Sequence, residues 1–84
     1  MITNKDLNEQ YSLFSKNIKE NRKRLCLTQE ELAEKSDISV SYIKQIESGK
    51  YYKNISLTTM LKLSKALDTS IQSLFLKNQK KSLK

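Results

Sequence analysis

The sequence predicts an all-α fold of five helices in one compact domain, and three features support this class. Apolar residues recur at three- and four-residue steps, the spacing of an amphipathic helix. The 84 residues include no proline and a single glycine, Gly49, so few residues interrupt the helical pattern. Hydrophobic residues make up 37% of the chain, which suits one small core. The domain is expected to cover residues 11–76, between an extension or early part of the first helix at 1–10 and a basic tail at 77–84.

The first helix is predicted from apolar residues that share one helical face. They are Leu7, Tyr11, Phe14, Ile18 and Leu25. The helix is expected to begin near Lys5 or Ser12 and to run to Arg24. Thr3 and Asp6 could cap the earlier of the two starts.

The second and third helices are predicted from capping residues. Thr28 and Glu31 form a T-x-x-E capping box, which begins the second helix. Asp37 follows at a sharp turn, because aspartate tolerates the left-handed conformation better than most residues. Ser39 is the expected cap of the third helix, which Gly49 ends. Two short helices joined by such a turn form a helix-turn-helix.

The fourth and fifth helices follow from the same signals. Ser56 caps the fourth, with Ile55 and Met60 placed as a hydrophobic staple. Its apolar side is expected to contain Leu57, Met60, Leu61, Leu63 and Leu67. Ser70 is expected to open the fifth helix, which carries Ile71, Leu74, Phe75 and Leu76.

The composition argues against catalysis and metal binding. The chain has no histidine and one cysteine, so it cannot assemble a zinc site or a histidine-based nucleophile relay. It begins with no apolar run typical of a signal peptide or membrane span. We therefore expect a cytoplasmic protein that is not an enzyme, with no cofactor, no metal, no membrane and no small-molecule ligand.

The formal net charge of +7 is unevenly distributed. Residues 16–24 carry five basic side chains and one acidic one, whereas residues 28–37 carry four acidic and one basic. A sided basic surface suits a polyanion such as nucleic acid, although a lysine-rich exterior also serves solubility alone.

Several separated blocks carry a family resemblance. The run "LTQEELAEKSDISVSYIKQIESGK", followed by "SLTTMLKLSKAL" and "SIQSLF", resembles the lambda repressor-like (Cro/cI-type, XRE-type) helix-turn-helix domain. The resemblance covers about residues 13–76. It implies a five-helix DNA-binding domain whose third helix enters the major groove.

With a rotation of about 100° per residue, the residues of the third helix divide into one apolar face and one free face. Ile43 and Ile46 lie on the first face, and the candidate base-reading residues on the second are Ser39, Val40, Ser41, Lys44 and Gln45. Lysine suits guanine acceptors, glutamine suits adenine, and valine suits a thymine methyl group. Taken alone, the same residues also fit a helix cap, a first-turn packing residue and a solvated helix face.

Phosphate contacts are expected beside this face. Gln29 lies at the start of the second helix, where free N–H groups favour an anion, and the resemblance implies that this glutamine contacts the DNA backbone. The further candidates are Thr28, Tyr42, Ser48, Lys50 and Lys53. Tyr42 fits a packing role equally well.

The resemblance also implies an internal ion pair between Arg22 and Glu47, against the alternative of two independent surface charges.

The family often has glycine at the positions of Cys26, Asp37 and Asp68. Aspartate suits left-handed turns, whereas Cys26 is expected to be a small buried residue rather than a redox sensor.

One short recognition helix touches too few base pairs to find a single site in a genome. We therefore expect a homodimer on an inverted repeat with half-sites about one helical turn (~34 Å) apart. The predicted dimer surface is the fifth helix, through Ile71, Leu74, Phe75 and Leu76, although some of these residues could instead close the monomer core.

The resulting hypothesis is a sequence-specific transcriptional regulator without an effector domain. The resemblance suggests a small repressor of a phage, plasmid, transposon or similar mobile-element locus, with activation left open. The alternative is a protein-interaction module of the same fold, such as an antitoxin or antirepressor. The tail at 77–84 either contacts phosphates or only adds solubility.

Overall fold

The computed structural model describes residues 1–49 and 55–77, and no strand occurs in these ranges. The predicted all-α class is confirmed, and this part of the chain contains four α-helices and one short 3₁₀ helix. The elements in chain order are α1 Asn4–Arg24, α2 Gln29–Ser36, α3 Val40–Glu47, α4 Leu57–Ala66 and the 3₁₀ helix Gln72–Phe75. Within the described ranges, no helix is both long enough and apolar enough to cross a membrane.

Helix α1 begins at Asn4, close to the earlier of the two predicted starts. The Thr3 hydroxyl accepts a hydrogen bond from the Asp6 amide at 3.1 Å, and the Asp6 carboxylate accepts one from the Thr3 amide at 3.0 Å. This capping box satisfies two N–H groups that the first helical turn would leave free. Leu7 and Leu25 are exposed, so the buried stripe of α1 is shorter than the predicted apolar face.

The three later α-helices begin with side-chain caps at Thr28, Ser39 and Ser56. Each hydroxyl accepts a hydrogen bond from the backbone N–H three residues further on, at 3.0 to 3.2 Å. A cap of this kind stabilises a helix by about 1 kcal/mol. These local bonds explain why the helix starts could be predicted.

The core is a single cluster between α1 and the other helices. Its buried apolar residues are Phe14, Ile18, Leu32, Ala33, Ile43, Ile46, Ile55, Leu63, Ala66, Leu67 and Leu74. The predicted apolar side of α4 is correct at Leu63 and Leu67 and wrong at Leu57 and Leu61, which are 64% and 44% exposed. The last two lie one turn apart on the same side of α4, away from the stripe that packs into the core.

The predicted fifth α-helix is wrong: its predicted residues form a four-residue 3₁₀ helix, Gln72–Phe75, and the backbone is extended at Leu76. The Asn17 amide nitrogen, from the middle of α1, donates hydrogen bonds to the carbonyls of Leu74 and Leu76, both at 2.8 Å. These carbonyls would accept from later amides in a longer helix, and the backbone is instead extended at Leu76. Leu74 is fully buried, and the Phe75 ring stacks on Phe14 with centroids 5.1 Å apart.

Replacing Asn17 with alanine is expected to lower the free energy of unfolding by about 1 to 3 kcal/mol, because it leaves the buried Leu74 carbonyl without its donor. Urea denaturation followed by circular dichroism measures this loss. Gln10→Ala, at an exposed position of the same helix, is the control and should stay within about 0.5 kcal/mol of wild type. Equal stabilities for the two variants would contradict the role given to Asn17.

Within residues 1–49 and 55–77, three residues other than glycine adopt positive φ angles: Cys26, Asp37 and Asp68, at 60°, 59° and 55°. The two aspartates form the expected turns. Cys26 corrects the expectation of a buried residue, because its side chain is exposed. The Leu27 amide donates to the Arg22 carbonyl at 3.0 Å, and this closing bond of α1 requires the left-handed conformation at position 26.

Cys26→Gly is therefore expected to stabilise the domain. A left-handed residue with a Cβ atom destabilises the folded state by about 1 to 2 kcal/mol, and glycine removes this strain. Glycine also makes the unfolded chain more flexible, which lowers the free energy of unfolding by about 0.4 to 1 kcal/mol. The net increase is about 0.5 to 1 kcal/mol, measured as a higher urea midpoint. Cys26→Ala keeps the Cβ atom and should give no comparable increase, so equal midpoints for the two variants would argue against strain.

Candidate DNA-binding interface

Helices α2 and α3 are joined by a turn that fixes their relative direction. Asp37 adopts the left-handed conformation after α2, and the Ile38 amide donates to the Ala33 carbonyl at 3.1 Å. Lys62 of α4 donates to the Asp37 carbonyl at 3.4 Å, which ties the turn to the next helix. Small Ala33 is buried where the two helices meet. The predicted helix-turn-helix is present.

Helix α3 has the two faces that its sequence predicts. Ile43 and Ile46 are 0% and 2% exposed and hold the helix on the core. Of the five candidate base-reading residues, four have exposed side chains: Ser39, Ser41, Lys44 and Gln45. Val40 differs, because it is half-buried and packs against the core cluster. Ser39 is also the helix cap, since its hydroxyl accepts from the Tyr42 amide at 3.2 Å.

The candidate backbone-contacting residues occupy different environments. The Thr28 hydroxyl accepts a hydrogen bond from the Glu31 amide at 3.0 Å and so serves as the cap of α2. Tyr42 is half-buried against the core, and the Ser48 hydroxyl donates to the Gln45 carbonyl at 2.7 Å. Lys50 and Lys53 lie outside the described residues.

Arg22, Gln29 and Glu47 form a polar cluster that links three helices, with Glu47 buried and the other two residues half-buried. The Arg22 guanidinium contacts the Glu47 carboxylate through two hydrogen bonds, at 2.8 and 3.0 Å, in the bidentate geometry that arginine favours. Its third nitrogen donates to the Leu27 carbonyl at 2.8 Å. The two side chains are 11% and 2% exposed, so this is an internal ion pair rather than two surface charges.

Gln29 joins this pair through a contact that the sequence did not reveal. Its amide nitrogen donates to the Glu47 carboxylate at 3.1 Å, and the residue is half-buried at the first position of α2. The carboxylate therefore accepts hydrogen bonds from both α1 and α2. This arrangement fixes the start of α2 beside the end of α3, the two places where the interface is expected to meet phosphates.

An anchored helix with an exposed polar face, preceded by a capped helix and a tight turn, defines a helix-turn-helix DNA-binding protein. The chain belongs to the helix-turn-helix family, whose model matches residues 18–74. The predicted resemblance is thus confirmed, and the protein is a DNA-binding transcription regulator.

Two solved structures show the likeness in three dimensions. The restriction-modification controller protein C.AhdI from Aeromonas hydrophila is 37% identical, with a TM-score of 0.70 over 77% of this chain and 96% of that one. The hypothetical transcription factor NHTF from Neisseria is 26% identical, with a TM-score of 0.77 over 88% of this chain and 81% of that one. No curated protein matches the chain significantly.

Proposed function

We propose that the protein regulates transcription by binding, as a homodimer, an inverted-repeat operator whose major groove receives α3. The observation that carries this proposal is the two-faced character of α3. Ile43 and Ile46 are buried and fix the helix, while Lys44 and Gln45 are exposed on its other side. A polar face held rigidly on a basic protein suits recognition of base edges.

The assignment of base contacts follows from side-chain chemistry. Lys44 can donate to the guanine O6 and N7 acceptors, and Gln45 can both donate to and accept from adenine. Ser39 and Ser41, near the start of α3, suit either a base edge or a phosphate. Val40 retains a half-exposed side chain for a thymine methyl group, so its contact would be smaller than that of a fully exposed residue.

The phosphate contacts are assigned to the start of α2 and the end of α3. The helix dipole at the start of α2 favours an anion near Thr28 and Gln29, and Glu47 holds the Gln29 amide in one orientation. Tyr42 and Ser48 lie beside the exposed face of α3. Lys50 and Lys53 complete the proposed set from sequence alone.

The proposed dimer surface is smaller than the one predicted from the sequence. Leu74 and Phe75 pack inside the monomer. Two of the predicted dimer residues therefore remain for a partner: Leu76, which is 53% exposed, and Ile71, which is half-buried. Leu76→Glu is expected to raise the dimer dissociation constant at least tenfold, because it places a charge in an apolar contact. Sedimentation velocity measures this change. Leu7→Glu, at an exposed leucine of α1, is the control, and equal dissociation constants would remove Leu76 from the interface.

The regulated locus is proposed from the family resemblance. One similar structure is a restriction-modification controller protein, which supports a regulatory role for this chain. Repression at a phage, plasmid, transposon or similar mobile-element locus is proposed from the family resemblance of the sequence alone. A reporter gene placed behind the selected operator tests the sign of regulation. Expression that falls when the protein is supplied supports repression, and expression that rises indicates activation.

Selection of bound duplexes from a random pool tests the function itself. The expected result is one enriched inverted repeat, whose binding in a mobility assay falls steeply as salt rises. No enrichment would overturn sequence-specific recognition and would favour the protein-interaction module instead.

A further inference from the structure

A groove lined by lysines lies between α1 and the C-terminal end of α3. Three lysines of α1 stand at its rim, at steps of three and four residues, and all three side chains are exposed: Lys16, Lys19 and Lys23. Glu47 and Gly49 form the opposite wall. The groove is open and has a volume of about 400 Å³. Because Glu47 is the last residue of α3, the groove lies at the C-terminal end of the proposed recognition helix.

The groove is electropositive because its acidic groups are fewer and partly neutralised. The Glu47 carboxylate is already bound to Arg22 and Gln29, which leaves Glu20 as the acidic side chain facing three lysines. Among residues 1–49 and 55–77, the ion pairs are Arg22–Glu47 and Lys62–Asp37, and neither uses a groove lysine. The three ammonium groups are therefore available to an external anion.

The proposed docking of α3 in the major groove brings this lysine-lined groove close to the DNA backbone. The eight residues of α3 span about 12 Å at 1.5 Å per residue, which is close to the ~12 Å width of the major groove. With α3 docked across the major groove, its C-terminal end would lie near the phosphate backbone. The lysines beside Glu47 and Gly49 are then next to that strand, beyond the bases that α3 can reach.

We propose that Lys16, Lys19 and Lys23 bind phosphates that flank the half-site, which makes α1 a further part of the DNA-binding surface. The inference rests on the proposed DNA-binding function. These contacts carry no sequence information, because phosphates are the same at every step. They increase the length of duplex that the protein contacts. They also make binding more sensitive to salt: the slope of the logarithm of the binding constant against the logarithm of salt concentration steepens by about 0.9 for each phosphate contacted.

The test compares wild type with the triple variant Lys16→Gln, Lys19→Gln, Lys23→Gln on two duplexes. One duplex ends at the outer edge of the selected operator, and the other extends about five base pairs (~17 Å) further on each side. On the extended duplex the variant should bind at least tenfold more weakly and with a shallower salt slope. On the trimmed duplex the two proteins should differ much less, and the enriched sequence should be unchanged.

A second triple variant controls for the loss of net charge. Lys5→Gln, Lys35→Gln, Lys65→Gln removes the same charge from exposed positions outside the groove and should not distinguish the two duplexes. Circular dichroism checks helix content, which glutamine preserves at exposed helical positions. Equal loss on both duplexes, equal loss in both variants, or no loss would each overturn the inference. Wild type that enriches no sequence would instead overturn the proposed function.

Discussion

Replacing Glu47 with alanine is expected to lower the free energy of unfolding by about 3 to 5 kcal/mol, a large part of the stability of a small domain. The change leaves the Arg22 guanidinium, whose side chain is only 11% exposed, without its carboxylate. It also removes the acceptor of the Gln29 amide. A buried charge without a partner is far more costly than the loss of an exposed ion pair.

Urea denaturation measures this effect, and two variants make its cause visible. Glu34→Ala removes an exposed carboxylate from α2 and should change stability by less than about 0.5 kcal/mol. The double variant Arg22→Met, Glu47→Leu should be more stable than Glu47→Ala, because it removes both charges and refills the space with apolar groups. A Glu47→Ala variant as stable as Glu34→Ala would show that the ion pair contributes no more than a surface pair.

Lys44→Ala and Gln45→Ala are expected to change which bases the protein prefers. Each truncation should cost about 1 to 3 kcal/mol on the wild-type operator, roughly a 5- to 150-fold loss, and should relax discrimination at particular base pairs. The physical reason is that both side chains are exposed on the free face of α3, where a base edge can replace water. Mobility assays on every single-base variant of the operator locate the relaxed positions.

Gln29→Ala and Lys65→Ala are the matched comparisons for recognition. Gln29 is proposed to contact a phosphate, so its loss should weaken binding to all sequences alike. Lys65 is an exposed lysine of α4, and its loss should leave the base preference intact. If Lys44→Ala and Gln45→Ala weaken every sequence equally, those residues bind the backbone and do not read bases.

The parts of the fold that could be predicted are those determined within a few residues. The capping boxes at Thr3 and Thr28 join groups three positions apart, so their spacing is visible in the sequence. The 3₁₀ helix was mispredicted because Asn17, which engages its carbonyls, lies 57 residues before Leu74. A contact of that sequence separation leaves no local periodicity.

The same distinction between local and distant contacts holds for the candidate site. The period of α3 identifies Ile43 and Ile46 as anchors and therefore places Lys44 and Gln45 on the free face. The bond between Gln29 and Glu47 joins residues 18 positions apart, and only the packing of α2 on α3 brings them together. The half-buried position of Val40 could not be predicted for the same reason. Val40 lies at the boundary between the apolar and the free face of α3, so the packing of the other helices decides whether its side chain is buried.

The two hydrogen bonds donated by Asn17 also bear on the order in which the domain assembles. They close loops of 57 and 59 residues, so the loop-closure entropy must be overcome before they form. During synthesis, Asn17 leaves the ribosome long before Leu74 and Leu76 do. Until then water is the partner of the Asn17 amide, so the 3₁₀ helix cannot be fixed on α1 before almost the whole domain has emerged.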